Sequence, residues 1–171
     1  GPAFVRAFLD FCLARDWYVQ WYIGKEIFAC DYRPEYFAVY RTVQGFAVHE
    51  VGRDYPAYTE KVLQFVVRDL TGQLPAILRE LEQAFPGKFV AMMNVATNAD
   101  LLPPGIDKAA GVAALMSHLG LTPDEVMCCG DAENDLSMLR FAGTSVVPAN
   151  GQPAAQALAT YHAPSCDEDA I

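Results

Sequence analysis

At 171 residues, 53% hydrophobic and 12% aromatic, the chain can bury a core as one ordinary domain or two small ones, which excludes a disordered segment. Its 12 Lys and Arg against 21 Asp and Glu give a net charge of −9, the reverse of the basic cluster that binds a phosphate backbone, so no nucleic-acid partner is expected. No apolar run is long enough to cross a bilayer and no charged-then-apolar leader precedes the first helical pattern, so a cytoplasmic protein with no membrane partner is expected.

Residues 2–14, PAFVRAFLDFCLA, set Phe4, Phe8 and Cys12 on one helical stripe beside Val5 and Leu9, the spacing of a helix lying on a core. WYVQWYIG and KEIFACDY are β-prone runs on either side of Gly24, where glycine lets the chain reverse, and they predict a hairpin. RPEYFAVYRTV repeats Tyr36, Val39, Tyr40 and Val43 at helical spacing, and KVLQFVVRD reads as a strand. LPAILRELEQAF returns to helix through Leu74, Ile77, Leu78, Leu81 and Phe85, Pro86-Gly87 ends it, and KFVAMMNVAT follows as a strand. Residues 1–104 thus read as a small α/β layer. The five cysteines, Cys12, Cys30, Cys128, Cys129 and Cys166, are odd in number and lack CxxC spacing, so buried small side chains are expected in place of disulfides or zinc ligands.

LLPPGIDK clusters two prolines and a glycine, and the domain boundary is placed there. Beyond it, KAAGVAALMSHLGL predicts a helix with Val112, Leu115, Met116 and Leu119 inward, stopped by Gly120, with Thr122-Pro123 capping a short turn. EVMCCGD is a short apolar strand, NDLSMLRFAG a helix ended by Gly143, TSVVPA a second strand and QPAAQALAT a third helix. Strict alternation over 105–171 predicts a parallel sheet whose functional edge lies at the carboxyl ends of its strands.

The chemistry concentrates in CCGDAENDLSML. Gly130-Asp131 falls where VMCC ends, so the backbone can turn sharply and the acid points into the crevice where open α/β sheets bind ligands. Asp131 and Asp135, four residues apart across a loop-to-helix junction, can face one hard cation or its waters, with Asn134 holding one of them in place. The plain alternative is a turn aspartate followed by an Asn-Asp helix cap.

GDAENDLSML resembles the fourth motif of the haloacid dehalogenase superfamily, a GDxxND string followed by a helix, and residues 103–171 together resemble the closing segment of its Cof-type (subclass IIB) phosphatases. The resemblance implies the second half of a Rossmann-like parallel core over 105–171. Over 1–104 it implies an α/β cap that closes on the active site and chooses the substrate. Lys108 matches the motif III lysine that balances the nucleophile and the transferring phosphoryl group. Asp131 matches the acid that holds magnesium, and Asp135 the second acid, which supports the metal or its waters and the lysine. Asn134 matches a phosphate-facing asparagine, and Asn150 in PANGQ a turn residue near the substrate, although an ordinary turn is the plainer reading of Asn150. Ala109 stands where relatives carry glycine, and Leu101 and Leu102 stand where they often carry an acid, Asp100 being the nearest carboxylate. Arg33, Arg41 and Asn98 are candidate substrate-facing residues of the cap, beside the simpler readings of surface charge or turn.

Family chemistry begins with an aspartate nucleophile in a DxDxT-like string, and the sequence contains none: Asp10, Asp16 and Asp31 each lack the second acid. The resemblance also implies that the nucleophile strand lies beside the GDxxND strand. The chain is therefore expected to be the cap and half of the core of a magnesium-dependent phosphohydrolase for small phosphorylated metabolites, inactive alone. Its bare strand edge is expected to be covered by the missing segment or by self-association. A non-catalytic binding module that keeps the cap and the metal acids is the alternative. A receiver-like domain is disfavoured because the acids come late, after an α/β layer and after Lys108.

Overall fold

The computed structural model describes residues 1–31, 33–37 and 48–168, and the chain divides into two compact units, Gly1–Pro104 and Gly105–Ile171. The fold is mixed α/β. No helix among the described residues is long and apolar enough to cross a membrane.

In the first unit, helix α1 (Pro2–Leu13) opens on a proline, whose missing N–H costs nothing in a first turn, and buries Val5, Phe8, Leu9 and Cys12. Strands β1 (Tyr18–Ile23) and β2 (Glu26–Ala29) form the predicted hairpin, with Gly24 in the left-handed region at φ +61. The helix predicted over 33–43 is described only as α2 (Pro34–Phe37). Val39, Tyr40, Val43 and the candidate Arg41 lie outside the described residues. Then come β3 (Val48–Glu50), a 3₁₀ segment (Gly52–Tyr58), β4 (Val62–Arg68), α3 (Leu74–Ala84), β5 (Val90–Val95) and β6 (Asn98–Leu102).

The six strands run in the order β3-β2-β1-β4-β6-β5, antiparallel except for β2 beside β3. Period-2 alternation sends Val19 and Trp21 of β1, Phe65 and Val67 of β4, and Ala99 and Leu101 of β6 into one core with α1 and α3. Burying each of the larger of these side chains, Val, Leu or Phe, contributes about 1.5–3 kcal/mol. Trp21 is fully buried, and its indole N–H donates to the Tyr58 carbonyl at 2.8 Å, so no polar atom of the ring is left without a partner. The opposite sheet face carries Tyr18, Gln20, Gln64, Arg68, Asn98 and Asp100 in register; Tyr18 stacks on Tyr36 and Arg68 donates to the Tyr36 carbonyl. Asn98, read from sequence beside a turn, begins a strand instead, because β5 and β6 pair antiparallel and extend the sheet from β4.

In the second unit, α4 (Lys108–Leu119) is capped by Asp107, whose side chain accepts the Ala110 N–H at 2.8 Å, and ends at Gly120 with φ +70. Strands β7 (Met127–Cys129), β8 (Thr144–Pro148) and β9 (Tyr161–Ala163) are all parallel, in the order β7-β8-β9, with α5 (Leu136–Phe141) and α6 (Pro153–Gln156) between them. The parallel sheet follows from the strand-helix alternation. Strand β9 was not expected, since its three residues are too short to show a period.

Two expectations fail: of the five cysteines expected to be buried, only Cys12 and Cys128 are, with Cys166 exposed, and the inward face read for α4 is only partly covered. Leu115 and Leu119 were placed inward, yet they are 58% and 57% exposed, while Met116 is buried. Helix α4 packs on α5 and on the 3₁₀ turn Glu133–Asp135, so only one stripe of it is covered. Met127 on β7 is also 63% exposed, and β7 ends the three-stranded sheet with one hydrogen-bonding edge unpaired among the described residues.

Candidate active site

Strand β7 delivers the chain to Gly130, and the loop 130–132 passes directly into the 3₁₀ turn that carries Asp135. The turn folds Asp135 back under the loop. Its Oδ2 accepts the Asp131 N–H at 3.0 Å and the Ala132 N–H at 3.2 Å, and its Oδ1 accepts from the Lys108 ammonium. The Asp135 side chain is 5% exposed and that of Lys108 49%. The pair therefore has a buried carboxylate and an ammonium at the surface, with N–H groups left over to meet an anion.

Lys108 is the first residue of α4, where the helix dipole opposes a positive charge. Asp135 offsets that opposition, and a bound anion would offset it further. Burial pushes the Asp135 carboxyl up, but the Lys108 hydrogen bond, the two backbone amides and the Lys108 charge together hold it below its usual value. A carboxyl lowered on folding contributes stability that is complete above its unfolded value, ~3.9, and is lost as pH falls through the lower folded value. Acid unfolding of the unit 105–171, followed by circular dichroism, is accordingly expected below about pH 4. Asp135→Asn should flatten that pH dependence, and an unchanged acid transition would contradict it.

The sequence-predicted residues divide into two groups. Lys108, Asp131 and Asp135 come together at the carboxyl end of β7, with Asn134 half-buried on the same turn. Asp131 is exposed, and its carboxylate has no hydrogen-bond partner among the described residues. Asn150 is engaged elsewhere: its Nδ2 donates to Cys166 Sγ and its Oδ1 accepts the Cys166 N–H, each at 3.0 Å. Arg33, in the first unit, bonds Asp31 and Asp16, which balance its charge. Asn98 lies on the polar sheet face with its Oδ1 buried and without a hydrogen-bond partner among the described residues.

The donor set is one of hard oxygens, which suits magnesium and not zinc. Among the described residues no three His, Cys, Asp or Glu side chains converge as a metal group. Magnesium is commonly held by one or two carboxylates, the remaining positions going to water and substrate phosphate oxygens. Asp131, exposed at a strand end, fits the first of these places. Asp135, already bonded through both oxygens, fits as the support of the Asp131 loop and of Lys108.

Sequence reasoning missed the loop after β8. Its Gln152 N–H donates to the Asp131 carbonyl at 2.8 Å, a backbone contact that no side-chain pattern announces.

The family model for haloacid dehalogenase-like hydrolase matches residues 2–171. Among curated proteins, the chain is 42% identical over 72 residues to the chloroplastic endoribonuclease YBEY of Arabidopsis thaliana, across 42% of this chain and 12% of that protein. It is 33% identical over 98 residues to the 5-amino-6-(5-phospho-D-ribitylamino)uracil phosphatase YbjI of Escherichia coli, across 57% of this chain and 36% of that one. The crystal structure of a haloacid dehalogenase-like hydrolase from Bacteroides thetaiotaomicron superposes with a TM-score of 0.89 at 27% identity, over 99% of this chain and 64% of that one. In each case the match spans less than two thirds of the other protein.

Proposed function

The chain belongs to the haloacid dehalogenase-like hydrolase family, and we propose that it supplies the lid and the metal-holding half of a magnesium-dependent phosphatase acting on small phosphorylated metabolites in the cytoplasm. The observation that carries this reading is the bonded group Lys108, Asp135 and Asp131 at the carboxyl end of a parallel strand. The Escherichia coli relative's named substrate, a phosphorylated metabolite, supports the substrate class.

In this reading Asp131 would hold Mg²⁺, whose charge would screen that of the phosphoryl group. Lys108 presents its remaining N–H groups to the phosphoryl oxygens, and Asp135 keeps the ammonium aimed. Asn134, on the same turn, is the further candidate for a phosphate contact. The attacking carboxylate, which forms the aspartyl-phosphate, comes from a strand docked on the edge of β7 that is unpaired among the described residues. The unit 1–104 acts as the lid, and its polar face, with Arg68, Asn98 and Asp100, chooses the substrate.

A non-catalytic module that keeps the cap and the metal acids is the second reading. The first experiment is hydrolysis of a generic aryl phosphate with Mg²⁺ by this chain beside Asp131→Asn. No turnover by either is expected. Turnover that Asp131→Asn abolishes would mean that an acid within this chain attacks, and the half-site reading would fall.

A further inference from the structure

We infer that the backbone N–H of Gln152 is a positioning group for Asp131, an inference that rests on the reading of Asp131 as a metal ligand. Asp131 is held through both sides of its backbone. Its N–H donates to Asp135 within its own loop, and its carbonyl accepts the Gln152 N–H at 2.8 Å from the loop that follows β8. The carboxylate itself has no hydrogen-bond partner among the described residues, so the two backbone anchors are the hydrogen bonds that hold the residue in place.

The loop that supplies the second anchor is itself held firmly. Asn150 closes on Cys166 through two hydrogen bonds, the Gln156 side chain donates to the Pro148 carbonyl, and the Gly151 N–H donates to the same carbonyl at 2.8 Å. Gly151 is packed so closely that a Cβ there would meet Val147 Cγ1 at 2.8 Å, the Pro148 carbonyl oxygen at 3.0 Å and the Asp131 carbonyl oxygen at 3.4 Å. A side chain at 151 forces Val147, the Pro148 carbonyl or the loop itself to shift. The loop therefore acts as a fixed stop against which the metal-facing residue is set, and Gln152 makes the contact. Groups that orient a ligand in this way typically matter ten- to a hundredfold in metal affinity.

The geometry allows a test aimed at this one contact. Gln152 has φ −61 and ψ 149, which a proline ring adopts without strain, and its exposed side chain makes no hydrogen bond among the described residues. Gln152→Pro deletes the N–H and sets the ring Cδ against the Asp131 carbonyl oxygen, so it opens this contact by both routes, while keeping the carbonyl that accepts from Ala155 and Gln156. Gly151→Ala keeps the N–H and crowds the contact. The readout is Mn²⁺ binding to the full chain by electron paramagnetic resonance, with amide hydrogen exchange of residues 130–132 beside it.

Both variants are expected to weaken Mn²⁺ binding about tenfold and to speed exchange of the Asp131 amide, with β8 and β9 still protected. Unchanged Mn²⁺ affinity in a folded Gln152→Pro chain would overturn the positioning role. If Gln152→Pro fails to fold, Gly151→Ala decides by the same criterion. Mn²⁺ binding that survives Asp131→Asn, or no binding by the unaltered chain, would instead remove the metal reading on which the inference rests.

Discussion

Gly130→Ala is expected to destabilise the unit 105–171 by about 3 kcal/mol and to disrupt the candidate site at once. A Cβ at position 130 would lie 2.5 Å from Asp135 Cβ, 2.7 Å from its Cγ and 2.9 Å from its Oδ2, separations that real carbon atoms do not adopt. Asp135 is 4% exposed and belongs to a short turn tied into α5, so it cannot swing away and remain bonded. Moving it gives up the Asp131 and Ala132 amides and the Lys108 ammonium together. Breaking one side of a buried ion pair costs about 3–5 kcal/mol, and the half-exposed lysine puts this case at the lower end.

The check is thermal unfolding, where a loss of that size in a small unit lowers the midpoint by on the order of 15 °C. A double-mutant cycle isolates the cause. In an Asp135→Gly background, which removes the colliding Cβ together with the carboxylate, the collision is relieved, so adding Gly130→Ala should cost little. An additive cycle, or a change below about 1 kcal/mol in the single variant, would mean that the glycine is not required by Asp135.

The second large effect is expected on activity. On the proposed function, adding a separate polypeptide that supplies a strand bearing an aspartate nucleophile should give magnesium-dependent phosphatase activity, with turnover on the order of 1 s⁻¹. Two observations support the docking place. β7 has an unpaired edge among the described residues, and exposed Leu115, Leu119 and Met127 lie on α4 and on β7 itself. An apolar strand with a bare edge is a pairing hazard unless something covers it. The measurement is aryl phosphate hydrolysis by the mixture beside sedimentation of the two pieces. A one-to-one complex with activity that Asp131→Asn abolishes is the expected result. A stable dimer of this chain that excludes the added strand would point to self-association, and an inactive one-to-one complex would favour the non-catalytic module.

The contrast between what could and could not be read from the residues is clearest inside α4. Its apolar spacing predicted a helix over KAAGVAALMSHLGL, and Gly120 stops it in the left-handed conformation that glycine tolerates. The same spacing placed Leu115 and Leu119 inward, and there it failed, because a periodic stripe reports what a helix is able to bury and not whether a neighbour is present to cover it. Local periodicity worked where the partner was on hand, as in α1 and α3, whose stripes of Phe8, Leu9, Leu74 and Leu81 lie against the sheet as read.

The candidate site divides the same way. The string GDAEND named its acids from sequence, and Lys108, 27 residues before Asp135, entered through the family resemblance. Side-chain identity is what sequence records, and a glycine before an acid at a strand end already constrains the turn. Sequence by itself determined the hairpin at Gly24, the core stripes of α1 and α3, the parallel strands of 105–171 and the residue types of the site. Only the tertiary structure decided that Asn150 is spent on Cys166, that β5 and β6 extend the sheet from β4, and that the Gln152 amide holds Asp131. The reason is that these contacts run through the backbone or between distant loops, and every residue but proline carries the same N–H and carbonyl, so where they point depends on the fold and not on which residue carries them.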